Sequence, residues 1–400
     1  MILADEYDSF LFDLDGVLYR GDEPVTDAGD AIERLRAEGK GLAFVTNNSS
    51  RTPEEVAEKL ARLGVDVSSD EVVTSALATA SLLAKRGGGS AFVIGETGVR
   101  KALVDAGIEV VDGEPQSADF VVVGWDRSAD YAKLRTASLL VQRGARLVAT
   151  NGDASYPAPD GLWPGAGALL AAVTVTTGVT AEIVGKPHSP LFEEARERAG
   201  GGRSLFVGDR LDTDVAGAAA LGWDSLLVLT GVARPADLMR AGSLPTFLGR
   251  DLQRLWDPPA YVRLASPDDI EAIERLLRDT ELVETGVVDR LSETFVAEEA
   301  DGLTGTVSLE RADGLGHLRS LAVNEHRRAS GLGTLLTAHV VTAARASGVR
   351  DLYAVTETAE RFFASLGFEA LGAKTTLPSE LRETVWDQCD SRAVVLRLKL

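Results

Sequence analysis

Phe10-Leu11-Phe12-Asp13-Leu14-Asp15-Gly16-Val17-Leu18-Tyr19 is the stretch on which the fold turns. Its first residues are apolar and rich in β-formers, and they end in two aspartates one residue apart with a glycine behind them. That pattern predicts a strand over Phe10–Leu14, buried on both faces of a parallel sheet. Its carboxylates then reach the C-terminal edge, where open α/β sheets bind ligands. Two carboxylates this close cannot both stay charged without a cation or a shared proton. The pair reads as a metal site, as an acid/base pair, or as both.

Outward from this strand, short apolar runs alternate with amphipathic stretches as far as about Gly222, as in successive βα units. Further strands are expected at Gly41–Thr46, Ala91–Ile94, Phe120–Gly124, Arg146–Thr150, Ser204–Gly208 and Ser225–Val228. Helices are expected at Asp27–Ala37, Pro53–Leu63, Asp130–Arg143 and Pro190–Ala199. Arg250–Pro259, with Trp256, Asp257 and a Pro-Pro pair, reads as a linker. After it the pattern changes. Ser266-Pro267-Asp268-Asp269 is a helix start, and strands follow one another at Thr294–Glu298, Thr304–Glu310 and His317–Val323. A helix over Gly331–Ala346 and a strand at Leu352–Thr356 complete a mostly antiparallel α+β pattern.

A length of 400 residues suits two or three domains. The formal net charge of −20 argues against nucleic acid or an anionic membrane as partner, since both select basic surfaces. The single cysteine, Cys389, leaves no internal disulfide and suits a reducing cytoplasm. Residues 1–9 carry acids where a secretory signal carries bases, and the apolar stretch around Leu169–Val175 is too short to span a bilayer. The expectation is a soluble cytoplasmic protein.

Four clusters in the first part of the chain converge on one chemistry. The first is Asp13 with Asp15. In the second, Phe44-Val45-Thr46-Asn47-Asn48-Ser49-Ser50, a buried strand opens into hydroxyls, amides and backbone N–H groups that suit an anion. Gly185-Lys186-Pro187 supplies a lone cation. Leu205-Phe206-Val207-Gly208-Asp209-Arg210-Leu211-Asp212-Thr213-Asp214 again delivers acids at a strand end. Mg²⁺ suits a few carboxylate or carbonyl oxygens plus a substrate phosphate. A nucleophile, an acid/base and positive groups for the phosphoryl oxygens complete the set. Taken singly, each cluster has a plain reading as a helix cap, a turn or a surface lysine; all four in this order, each behind an expected strand, do not.

These clusters resemble the haloacid dehalogenase (HAD) superfamily over residues 8 to about 235, and more finely its NagD-like branch of small-molecule phosphatases. The resemblance implies that Asp13 attacks phosphorus and that Asp15 protonates the leaving alcohol and then activates water. It implies that Thr46, Lys186 and the Asn47 backbone bind the phosphoryl group. Asp13, the Asp15 carbonyl and Asp209 would hold Mg²⁺, with Asp214 supporting Lys186 or a metal-bound water. It also implies a cap inserted between the second and third clusters, to which Val121–Asp126, Thr150–Asp153 and Pro164–Leu169 are similar. A cap excludes water and contacts the leaving group. Trp125, Tyr156 and Trp163 are candidates to line it, with packing of its core the stronger reading. His188, beside Lys186, finds no vacant role, and Asp212 reads as a solvated or capping acid.

The last third holds Leu321-Ala322-Val323-Asn324-Glu325-His326-Arg327-Arg328-Ala329-Ser330-Gly331-Leu332-Gly333-Thr334, a strand running into Arg-x-x-Gly-x-Gly and a helix. Glycines let a pyrophosphate approach the backbone, and the helix N-terminus supplies N–H groups. With Phe362-Phe363-Ala364-Ser365-Leu366-Gly367-Phe368-Glu369 downstream, residues 260–372 resemble the GNAT acetyltransferases. That implies acyl-CoA, acetyl-CoA in the simplest case, lying along Leu321 and Val323 with its pyrophosphate at Arg328, Gly331, Gly333 and Thr334. The tail from Leu377 to Leu400 is loosely similar to a GNAT branch acting on amino-acid-like substrates. One position departs from the family: Phe363 stands where many members carry the tyrosine that protonates the thiolate. Glu298 and Glu357 are candidate bases and Tyr353 a candidate acid.

The expected architecture is thus an α/β protein. A doubly wound HAD core spans 1–80 and 181–250, an α/β cap 81–180, a linker 251–260 and an α+β GNAT-like domain 261–400. The expected function is a Mg²⁺-dependent phosphatase of a small phosphomonoester, glycerol 3-phosphate or phosphoglycolate, carrying an acyl-CoA-binding type of domain, with room for a homo-oligomer. The competing readings are a bifunctional phosphatase and N-acetyltransferase, and a phosphatase with a regulatory or structural GNAT-like module.

Overall fold

The computed structural model describes residues 1–158, 160–282, 288–381 and 393–400. Cys389, and with it much of the tail after Leu381, lies outside these residues. The chain divides into two compact units, one of residues 7–208 and 212–223, the other of residues 1–6, 209–211 and 224–400.

In the first unit, β1 (Ser9–Asp13) is buried at all five positions. It pairs in parallel with β2 (Gly41–Thr46) on one side and β11 (Ser204–Gly208) on the other, and β2 pairs in parallel with β3 (Val72–Thr74). Phe10, Phe12 and Phe44 are fully buried. Phe12 stacks between the other two at 6.2 and 6.0 Å. Each such ring contributes roughly 1.5–3 kcal/mol by leaving water. Helices α1 (Ala28–Ala37), α2 (Pro53–Arg62), α3 (Ser75–Lys85) and α7 (Ser189–Arg198) belong to the same layered core. The start of α2 shows why Thr52-Pro53-Glu54-Glu55 nucleates a helix. The Thr52 hydroxyl accepts from Glu55 N, the Glu55 carboxylate accepts from Thr52 N, and Pro53 loses no needed N–H at the first helical position.

Between α3 and α7 lies a second sheet. Its strands are β4 (Ser90–Ile94), β5 (Glu109–Val111), β6 (Phe120–Val123), β7 (Arg146–Ala149) and β10 (Glu182–Ile183), in the order β10-β7-β6-β4-β5 and parallel throughout. Helices α4 (Thr97–Asp105), α5 (Tyr131–Gln142) and α6 (Ala166–Thr177) accompany it. Alternation divides its side chains: Val121 and Val123 join one core with Leu140 and Val173, while Val122 joins another with Val99 and Leu103. A hairpin, β8 (Ser155–Ala158) with β9 (Gly161–Pro164), the second strand exposed at all four positions, lies in this segment and was not expected from the sequence.

The second unit opens with the parallel pair β12 (Asp224–Val228) and β13 (Phe247–Gly249). The stretch read as a linker holds a 3₁₀ turn, Leu252–Trp256, in which Leu252, Arg254 and Leu255 are buried. Seven strands follow in one sheet: β14 (Tyr261–Leu264), β15 (Thr294–Glu299), β16 (Gly302–Ala312), β17 (Leu315–Val323), β18 (Asp351–Thr356), β19 (Glu369–Ala373) and β20 (Val394–Lys399). Their order is β14-β15-β16-β17-β18-β20-β19, antiparallel except at β17–β18. Helices α8 (Ile270–Asp279), α9 (Leu332–Ala346) and α10 (Glu360–Ser365) complete the unit. Among the described residues no helix is long and apolar enough to cross a membrane.

Candidate active site

Because β1 is central and parallel to its neighbours, Asp13 emerges at the sheet's C-terminal edge, opposite Val45 in register. Thr46, the last residue of the adjoining strand, and Asn47 therefore follow one and two residues beyond it. Lys186 enters the same space, only 4 % exposed. Its Nζ lies 2.7 Å from Asp13 Oδ1 and 2.7 Å from Asp214 Oδ1. Burial alone would drive this ammonium's pKa down, but the two carboxylates outweigh it and hold the pKa above the ordinary lysine value. The lysine is a fixed cation.

Asp13, Asp209 and Asp214 each offer a carboxylate oxygen within 4.8 Å of one another, and all three are buried. Three hard oxygen donors beside a single lysine charge fit a small divalent cation. Two glycines make room for this cluster. A Cβ on Gly208 would stand 2.3 Å from the Asp214 Cβ, and one on Gly231 would stand 1.9 Å from Asp209 Oδ2. Val232 N donates to that same Asp209 oxygen at 2.6 Å. Asp214 follows from a turn of π-helix over Leu211–Val215 that turns it inward and leaves Asp212 exposed.

Asp15 lies just outside the buried cluster and remains exposed at its rim. Desolvation by the surrounding protein raises its pKa, opposed by the Lys59 charge and by the N–H groups of Gly21 and Gly16. A carboxyl biased toward its protonated form can donate a proton. Gly16 turns the chain at φ 84°, and its N–H reaches Tyr19 O at 2.7 Å. Lys59 sits 3.8 Å above the Tyr19 ring, a neighbour that the sequence reading did not assign.

The Thr46 hydroxyl accepts from Asn48 N at 3.1 Å, which leaves its own proton to donate. Asn47 departs from expectation. The resemblance assigned only its backbone, but its side chain grips the backbone of Lys186: Oδ1 accepts from Lys186 N at 2.7 Å and Nδ2 donates to Lys186 O at 3.1 Å. His188 is exposed, its Nδ1 3.2 Å from Gly185 O. Trp125 and Tyr156 stack on each other at 4.1 Å, while Trp163 turns outward and bonds Asp160.

In the second unit, β17 carries a bulge. Ser308 faces Arg319 and Thr306 faces Ala322, so Val307 opposes both Ser320 and Leu321, with Ser320 at φ 54°. The β17–β18 register runs only from Leu315↔Asp351 to Leu318↔Ala354, so Leu321 and Val323 lie beyond the paired stretch and are half-buried. Helix α9 starts behind Gly331, at φ 93°, with no side-chain cap on its N–H groups. Gly331 lies against Leu248, Gly333 faces the Phe362 ring, Thr334 is buried and Arg328 is exposed. Phe363 is buried against Phe362 and Phe368, and Tyr353 packs with Leu377 and Val395. Glu298 is exposed and pairs with Arg263, and Glu357 is also exposed.

Fold and site together define a hydrolase of the parallel α/β class, with carboxylates and one lysine at a strand edge. The family described as haloacid dehalogenase-like hydrolase matches residues 10–109, a HAD-hydrolase-like description matches 183–255, and an acetyltransferase (GNAT) domain matches 290–370. An acid sugar phosphatase of Staphylococcus aureus is 39 % identical over 250 residues, 62 % of this chain and 96 % of that protein. A glycerol phosphate phosphatase of Mycobacterium tuberculosis, solved with magnesium, is similar over 92 % of this chain and 98 % of its own, with 30 % identity and a TM-score of 0.71. A 4-nitrophenylphosphatase of Thermotoga maritima covers 64 % of this chain and 98 % of its own, with 35 % identity and a TM-score of 0.60. The chain belongs to the haloacid dehalogenase-like hydrolases and carries a GNAT domain behind its hydrolase part.

Proposed function

We propose that the chain is a Mg²⁺-dependent phosphatase that hydrolyses a small phosphomonoester, glycerol 3-phosphate before phosphoglycolate. The observation that carries the reading is the buried Lys186, 2.7 Å from both Asp13 and Asp214 at the edge of a parallel sheet. The similarity to a glycerol phosphate phosphatase runs through both parts of the chain, which favours that ester over phosphoglycolate.

In the proposed reaction an Asp13 carboxylate oxygen attacks phosphorus and the bond from phosphorus to the ester oxygen breaks. Asp15 gives its proton to the departing alkoxide. Water then attacks the aspartyl-phosphate, Asp15 takes its proton, the bond between phosphorus and Asp13 breaks, and phosphate leaves. Lys186, the Thr46 hydroxyl and the Asn47 N–H hold the phosphoryl oxygens. Asp13, the Asp15 carbonyl and Asp209 would hold Mg²⁺, which supplies neutralising charge at the phosphoryl group when bound. Asp214 keeps Lys186 in place.

The proposed domains are a core over 1–80 and 181–250, a cap over 81–180, a linker over 251–260 and the GNAT-like domain over 261–400. That domain is read as an acyl-CoA-binding type of module; the buried Phe363 offers no proton to a departing thiolate, and Tyr353 packs with Leu377 and Val395. A cytoplasmic location accords with the single cysteine and the acidic charge. A panel of phosphate esters with Mg²⁺ tests the reading: glycerol 3-phosphate turns over fastest. Failure to release phosphate from any ester defeats it.

A further inference from the structure

We infer that Asn151 and Asp153, in the cap segment that follows β7, are positioning residues for Lys186 and act on it through Asn47. The inference rests on the phosphatase reading and adds to it a link between cap and phosphoryl site.

The bonds form a closed chain. The Asn47 carbonyl accepts from Asn151 Nδ2 at 2.6 Å and from Ser75 Oγ at 2.7 Å. Its side-chain Nδ2 donates to Asp153 Oδ2 at 3.3 Å as well as to Lys186 O. Asn151 is itself buried, and its Oδ1 accepts from Asp153 N at 3.2 Å. The chain re-entering the core runs alongside this segment, with Gly185 N donating to Thr150 O at 2.8 Å. Gly185 has no room for a side chain: a Cβ there would lie 2.5 Å from Thr150 O and 2.6 Å from Asn47 Oδ1.

The chemistry of these partners fixes which way the Asn47 amide points. Asp153 Oδ2 and Lys186 O are both acceptors, so they require the NH₂ group; Lys186 N is a donor and requires the oxygen. Without Asp153, one of two constraints on the NH₂ end is gone. Without Asn151, the Asn47 backbone loses its bond to the cap. A lysine side chain has four torsions, so its Nζ is only as well placed as the backbone it leaves. Here that backbone is gripped by one amide, which the cap holds from its other side. Asp153 also lies two residues before the hairpin β8–β9, whose Tyr156 stacks on Trp125. Cap position and lysine position are therefore set together.

The test compares the full chain with Asn151→Leu, Asp153→Leu and Asp153→Asn, using p-nitrophenyl phosphate and glycerol 3-phosphate at saturating Mg²⁺. Misplacing a reacting group by about an ångström costs up to a hundredfold in rate, and a loosened one less. Each Leu variant is expected to lose on the order of tenfold in kcat. Asp153→Asn, which keeps an acceptor oxygen for Asn47 Nδ2, should recover most of the loss. Calorimetric binding of inorganic phosphate with Mg²⁺ should weaken in the Leu variants alone. Wild-type kcat in the Leu variants, or Asp153→Asn no better than Asp153→Leu, overturns the inference. Asp153 is only partly buried and carries the test should Asn151→Leu not fold. If the wild-type chain hydrolyses no ester, the phosphatase reading fails, and the phosphate-binding comparison still decides the role of the clamp.

Discussion

Replacing Lys186 with methionine removes the one cation that two buried carboxylates share. Asp13 and Asp214 then face each other across the space where Nζ stood 2.7 Å from both. Breaking a buried ion pair from one side costs about 3–5 kcal/mol, because the remaining charge is left uncompensated. In a unit of roughly 200 residues that corresponds to a fall in Tm on the order of 10 °C. Divalent cation should behave oppositely in the variant. With the lysine gone, the three carboxylates within 4.8 Å of one another lose the Lys186 charge, so Mg²⁺ restores part of the lost Tm. Catalysis does not recover with it, since a donor aimed at the phosphoryl oxygens is worth roughly 10²–10³ in kcat. The assay is paired: thermal melts in chelator and in Mg²⁺, and phosphate release from glycerol 3-phosphate. A Lys186→Met protein with wild-type Tm in chelator and kcat within tenfold of wild type would refute the reasoning.

Gly231→Ala places a methyl group 1.9 Å from Asp209 Oδ2, and should raise the Mg²⁺ concentration needed for half-maximal activity by about tenfold or more while leaving saturated kcat closer to wild type. In the second unit, burial lowers the pKa of His339 from 6.5 to about 4. The unfolded chain then binds more protons between these values, so stability is full above about pH 6.5 and falls toward pH 4, by up to roughly 3 kcal/mol. His339→Leu should flatten that part of the pH–Tm curve, and an unchanged slope would contradict the burial argument. Acetyl-CoA should bind the full chain in calorimetry and weaken with Arg328→Ala, while no acetyl transfer to an amine panel is seen; transfer at enzymatic rates would show that the buried Phe363 is no obstacle.

Much of the hydrolase part was legible because its strands are buried on both faces. Gly41–Thr46 and Ser204–Gly208 coincide with the expected strands to the residue, since continuous apolar runs bounded by glycine or charge leave little choice. Asp13 and Asp209 were legible for a related reason: each follows such a run, and β1 and β11 are parallel neighbours whose C-terminal ends reach one edge. Lys186 follows the two-residue strand β10 of the other sheet, and only its place in Gly185-Lys186-Pro187 marked it. The hairpin β8–β9 was not legible. All four residues of Gly161–Pro164 are exposed, so no apolar alternation marks them. Nor could the Asn47 clamp be read from the chain, because its partners lie 104 and 139 residues away and no local pattern encodes such a bond. The bulge at Ser320 was hidden similarly. Its cause is a register mismatch with Val307 on another strand, not a glycine in its own.

The central claim is that Asp13 is the nucleophile of a phosphomonoesterase. It is tested most directly by phosphate release from p-nitrophenyl phosphate with Mg²⁺, comparing the wild-type chain with Asp13→Asn. Asparagine keeps the shape and the contact with Lys186 but lacks the attacking carboxylate oxygen. The account predicts steady turnover by the wild type and loss of at least about a thousandfold in the variant, which remains folded. Release at the wild-type rate by Asp13→Asn would contradict it.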